Sequence, residues 1–244
     1  MSKLPSKLRA DGVVEAILEI RFESSEIPEL LLGKIVDFPA WKGWVPSRLP
    51  LSDIPLPIRR ADKNLQHQPL LQLSSPDGNE ALKVGDNVVS RHALTYPGWT
   101  AFEPRLLETF RLLYDRIPGL SVTRLGLRYV NLLHPDIHMI EDVNALNLTI
   151  LVGDNRLTPP LNLNYRRKTT DWHETMIRIA SPEFVTSAHQ GFSTLIDIDV
   201  YTPDGTVVPD YGTCVGWLND AHAILKDHFF ELLHDETIEA LKVD

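Results

Sequence analysis

Cys214 is the only cysteine in this chain, so no internal disulfide can form, and the composition suits a reducing cytosol. A lone Cys beside a helix reads as a small packed hydrophobe. Long apolar runs are missing too: no window approaches the ~18 residues of a membrane span. The opening stretch, Met1 to Asp11, mixes Lys, Pro and Arg without an apolar core and does not read as a secretory signal. Cationic residues are scarce. Lys and Arg number 24 against 33 Asp and Glu, a net charge of -9. Phosphate contacts need a surplus of cations, so this balance disfavours nucleic acid as the partner.

Familiar catalytic signatures are absent as well. The sequence holds no GxSxG elbow, no Walker loop and no dinucleotide fingerprint. Its histidines lack metal-ligand spacing. His222, His228 and His234 stand six apart and share no helix face, and Pro135 separates His134 from His138. His92, His173 and His189 are isolated.

What is present is globular: 43% apolar and 23% charged residues over 244 positions, enough for a substantial core. Strict alternation from Gly12 to Glu23 sets Val14, Ala16, Leu18, Ile20 and Phe22 on one face, the mark of a half-buried strand. Ser24 or Ser25 is placed to cap a short helix carrying Pro28. The segment 38–69 is an irregular, proline-rich crossover, anchored by Trp41 and Trp44. Strands follow over 70–74 and 81–95, the second split near Gly85-Asp86-Asn87. Thr100 opens a helix with an inward stripe of Phe102, Leu106, Phe110 and Leu113, which Pro118-Gly119 ends. Further strands are expected over 120–133, 172–180 and 193–201. Between them, 153–170 reads as a polar loop bearing Pro159-Pro160 and Arg166-Arg167-Lys168. The longest helix is expected over 213–233, followed by a last short turn capped by Asp235 and carrying Ile238 and Leu241. The expected fold is a single α+β domain over 1–244, with a curved, mostly antiparallel sheet and helices on one face. The order strand, helix, strand, strand, helix recurs in the two halves, a weak sign of internal duplication.

The strands repeat one plan, an apolar row opposite a charged row. Over 120–133 the charged row holds Arg124, Gly126 and Arg128; in the first strand it holds Glu15, Glu19, Arg21 and Glu23. Arg178 lies opposite Ile177 and Ile179, and Asp197 and Asp199 lie opposite Ile196, Ile198 and Val200. Glu15 and Glu19 are four apart, as are Arg124 and Arg128, so each pair spans ~13 Å of strand. Neighbouring strands in one register would set a Glu against each Arg, which would fix the register more than it would stabilise the fold. The alternative use of this face is a ligand site. Arg124 and Arg128 would flank the slot at Gly126 and take a carboxylate or phosphate, and Asp197 and Asp199 would share a magnesium ion. Asn131 falls on the apolar face, so it is either a buried polar group with partners or the sign of a bulge.

Four blocks in this order and spacing resemble a sporadically distributed prokaryotic family of uncharacterised proteins of about this length. They are Val14 to Phe22, Arg124 to Asn131, Leu195 to Tyr201, and a terminal helix with Ala221-His222 and Phe229. The resemblance implies a cytoplasmic protein and supplies no reaction. The leading expectation is therefore a non-enzymatic binding or accessory module. It would recognise a partner protein or a small anionic ligand on the charged face, without a cofactor and without a membrane; a homo-oligomer is compatible with it. The competing expectation is a magnesium-dependent phosphohydrolase or nucleotide-processing enzyme. It would use Glu15, Glu19, Asp197 and Asp199 with Arg124 and Arg128.

Overall fold

The computed structural model describes residues 8–243; the start of the chain, up to residue 7, lies outside them. In chain order the elements are β1 (Val13–Glu23), α1 (Pro28–Val36), β2 (Val45–Arg48), α2 (Leu56–Ala61), β3 (Leu71–Ser74), β4 (Glu80–Val84), β5 (Val88–Ala93), α3 (Trp99–Arg116) and β6 (Ser121–Leu133). There follow α4 (Pro135–His138), β7 (Leu151–Val152), β8 (Asn155–Arg156), β9 (Asn162–Lys168), β10 (Glu174–Ala180), β11 (Thr194–Tyr201), α5 (Tyr211–Glu231) and α6 (Asp235–Leu241). The fold is α+β, with antiparallel strand pairing and a long helix near the C-terminus. The elements form two compact units, one of residues 15–127 and 201–219, the other of residues 8–14, 128–200 and 220–243.

In the first unit the strands lie in the order β2-β3-β4-β5-β1-β6, with β6 contributing its residues up to 127. Ala16, Leu18, Ile20 and Phe22 of β1 are buried, as the alternation requires. The ladder places Ala16 opposite Ala93, Leu18 opposite Arg91 and Ile20 opposite Val89. Helix α3 buries Phe102, Leu106, Phe110 and Leu113. Each such side chain contributes ~1.5–3 kcal/mol by leaving water. The helix starts one residue before Thr100, because Gly98 takes a left-handed φ of 87° and turns the chain into the first turn. Neither Ser24 nor Ser25 caps α1. Both hydroxyls donate to the Pro118 carbonyl instead, and the cap position falls to Ile27.

A charged group sits among these apolar ones. Arg91 is buried and donates to Glu80 at 2.9 Å, to the Arg105 carbonyl at 2.8 Å and to Thr109 at 3.2 Å. Glu80 also receives Arg105, so one carboxylate joins β5 to α3. Such a buried pair adds little net stability but fixes where the helix lies. Trp44 stacks against the Arg91 guanidinium at 5.8 Å, and the buried Trp41 donates its indole N–H to the Ile35 carbonyl at 2.6 Å. The tryptophans thus anchor the proline-rich stretch, which carries β2 and α2 and is not irregular throughout.

In the second unit the order is β6-β11-β10-β9. Ile177, Ile179, Ile196, Ile198 and Val200 are buried, and the second half of α5 buries Ala221, Leu225 and Phe229. Asn131 is buried too and donates to the Ile196 carbonyl at 3.1 Å, so it is a buried polar group with a partner. The opposite sheet face is not charged throughout: Leu132, Ala180 and Leu195 form a small apolar cluster with Val14, Val130, Val185 and Phe192. Strand β9 occupies part of the stretch expected to be a loop. Its sequence, Asn-Leu-Asn-Tyr-Arg-Arg-Lys, has too few apolar side chains to betray a strand. Its pairing with β10 decides the matter.

In each half of the chain a long strand leads to a helix, then to three consecutive strands whose last lies beside the first, then to a long helix. These are β1, α1, β3-β4-β5, α3 and β6, α4, β9-β10-β11, α5. The repetition lives in topology, where residue identity does not show it.

Candidate functional site

The first unit holds Glu15, Glu19, Arg124 and Gly126 of the residues singled out from sequence. Period-two geometry points Glu15 and Glu19 away from the core row of β1, and Arg124 away from the buried Leu125 and Leu127. Glu19 sits between two arginines. Its Oε1 accepts from Arg124 Nη1 at 2.6 Å and from Arg21 Nε at 2.8 Å. The expected pairing of Glu19 with Arg124 is therefore present. The Arg124 guanidinium also lies over the Tyr201 ring at 4.7 Å, a cation–π contact that a lysine would not reproduce as well. Gly126 is buried. The loop after α2 brings His67 to this region, where Asn87 meets its Nδ1 at 3.1 Å. Burial lowers the His67 pKa, and Arg21, Glu19 and Arg124 all act on its charge.

Glu15 takes a partner that the sequence did not suggest. Its Oε1 lies 2.7 Å from His92 Nδ1, and His92 Nε2 lies 2.9 Å from Ser90 Oγ. Ser90 and His92 are two apart on β5, so they share a face, and the ladder sets Ser90 opposite Glu19 and His92 opposite Ile17. An ionised Glu15 makes Nδ1 the donor and leaves Nε2 to accept from the serine hydroxyl. That order of groups matches the relay of serine hydrolases. Such a site also needs free N–H donors for an oxyanion. β5 runs between β4 and β1, so its backbone N–H groups are committed to the two ladders, leaving none beside Ser90 for an oxyanion. Ser90 and His92 are also buried. The relay is a polar tie between β5 and β1. Sequence reading passed over it because His92 finds its carboxylate only across the ladder.

The second unit holds Arg128, Asp197, Asp199 and Arg178. Arg128 closes on Asp197 with two near-parallel bonds, Nε to Oδ1 at 2.7 Å and Nη2 to Oδ2 at 2.6 Å. This fork-on-carboxylate geometry is the strongest form of such a pair. Asp199 is half-buried on the same face as Asp197. Arg178 turns elsewhere, donating to Asn162 at 3.1 Å and to the Phe184 carbonyl at 2.7 Å; among the described residues it meets no carboxylate. No three His, Cys, Asp or Glu side chains among the described residues stand together as a metal-holding group.

No family model, curated protein or solved structure matches this chain. Among the described residues no helix is long and apolar enough to cross a membrane.

Two other titratable groups lie in packed surroundings. Burial pushes the Cys214 thiol up to about 11, beside the Tyr114 hydroxyl at 3.5 Å. Burial, reinforced by Lys226, pulls His222 down to about 4, with its Nδ1 3.4 Å from the Tyr129 hydroxyl. A thiol held protonated is a poor nucleophile, and a neutral histidine beside a phenol is a packing element with a polar rim.

Proposed function

We propose that the chain is a non-enzymatic binding module that recognises a partner protein, acting as an accessory component in a prokaryotic cytoplasm. The observation that carries this reading is the pairing of Arg124 with Glu19 and of Arg128 with Asp197. Within each unit, a small anion seeking either guanidinium would meet a carboxylate already bonded to it and be repelled by that charge. The same pairing commits two of the acids that a magnesium-dependent phosphohydrolase would need. The four sequence blocks resembling an uncharacterised prokaryotic family support the cellular setting and supply no reaction.

The test is affinity purification of the tagged protein from its native host, with mass spectrometry of what it retains. One protein held at near-stoichiometric amount is the expected result. In parallel, phosphate and pyrophosphate should leave the melting temperature unchanged. Magnesium-dependent turnover of nucleotides or phosphoesters, lost in Asp197→Asn, would overturn the reading.

A further inference from the structure

Strand β9 ends the strand order of its unit, and among the described residues its ladder partner is β10 alone. Among the described residues its outer main-chain edge pairs with no other strand. The strand is seven residues long, contains no proline, and every residue in it is exposed or half-buried. Residues 155–170 contain Arg156, Arg166, Arg167 and Lys168 and no Asp or Glu, within a chain of net charge -9. The register places Arg166 beside Met176, Lys168 beside Glu174, and Arg178 beside Asn164, all on one face. Arg167 points to the other face, where Glu231 accepts from it at 2.8 Å. The Lys168 ion pair with Asp171, at 3.0 Å, is solvent-exposed, with side chains 66% and 92% accessible.

An open strand edge templates the addition of another strand. Charge decides which strand. A second copy of β9 would bring three more cations and no acid to this edge, and in parallel register it would set Arg and Lys directly against their like, which is destabilising. A strand with acids at alternate positions would meet Arg166 and Lys168 on one face while its main chain completed the ladder. We propose that β9 takes an extended acidic segment of a partner protein as an added edge strand. This rests on the binding-module reading and names its site and the chemistry of its partner.

The probe is a fluorescein-labelled heptapeptide alternating Glu and Val, followed by anisotropy. Wild-type protein should bind it and ignore the Lys/Val counterpart. N-methylation of the alternate amides that face β9 should weaken binding by about tenfold or more, since strand addition needs those donors. The double variant Arg166→Gln/Lys168→Gln should weaken it similarly while keeping the wild-type melting temperature, because both side chains are exposed and the substitution sets no new charge against Glu174. Binding that survives N-methylation would overturn the proposal, as would no binding at all. Purification from the native host separates the two readings. A partner kept equally by wild type and double variant removes β9 and leaves the binding module standing. No partner retained by wild type removes both.

Discussion

Arg128 and Asp197 share two short hydrogen bonds, yet their surroundings differ sharply: 45% of the arginine side chain is accessible and only 9% of the aspartate. The pair is therefore asymmetric in what each loss leaves behind. Arg128→Ala strands a buried carboxylate and should cost ~1–3 kcal/mol. Asp197→Ala returns a guanidinium to water and should cost less, below about 1 kcal/mol, as exposed ion pairs do. Urea denaturation of both variants checks this; equal losses would contradict the burial argument.

His222 should make stability acid-sensitive. Its folded pKa, about 4, lies below the unfolded value of 6.5, so at intermediate pH the unfolded chain binds the extra proton. The stabilisation is full above pH 6.5 and drains away as pH falls through 6.5 towards 4, by up to ~3 kcal/mol. Denaturation of wild type and His222→Gln at pH 7.5 and pH 4.5 should show a smaller pH penalty in the variant.

Cys214 should be inert in the native protein. It is fully buried and its thiol stays protonated at neutral pH. A thiol-reactive chromophore at pH 7.5 should read no fast-reacting group until denaturant is added, and then one. Because the chain has a single cysteine, the count is unambiguous.

Two helical glycines are improvable and one turn glycine is not. A Cβ at Gly33 in α1 or Gly216 in α5 would meet nothing within 4 Å, so alanine there should stabilise by about 0.5–1 kcal/mol each. At Gly85 the added carbon would lie 2.6 Å from the Gln68 carbonyl oxygen and 2.8 Å from Val88, so Gly85→Ala should destabilise by ~1–3 kcal/mol. Melting temperatures of the three variants provide the comparison.

Much of this fold is legible along the chain because burial imposes local periods. Alternation marked β1, β6, β10 and β11, and the 3.6-residue stripe marked α3, since one face of each must leave water. β9 escaped notice because an edge strand buries little, and its residues carry no clear apolar row. The charged face divided in the same way. The four-residue spacing of Glu15 and Glu19 against Arg124 and Arg128 anticipated the Glu19–Arg124 bond.

By itself, then, the sequence determined which side chains face the core and which face away. It also determined that two arginines would stand on a charged row near acids, since side-chain direction along a strand depends only on backbone geometry. Tertiary structure alone decided who pairs with whom: His92 with Glu15, Asp197 with Arg128, Tyr201 beneath Arg124. Hydrogen bonds and ion pairs form over about 3 Å, and which groups come that close depends on strand order and register, between segments far apart in the chain.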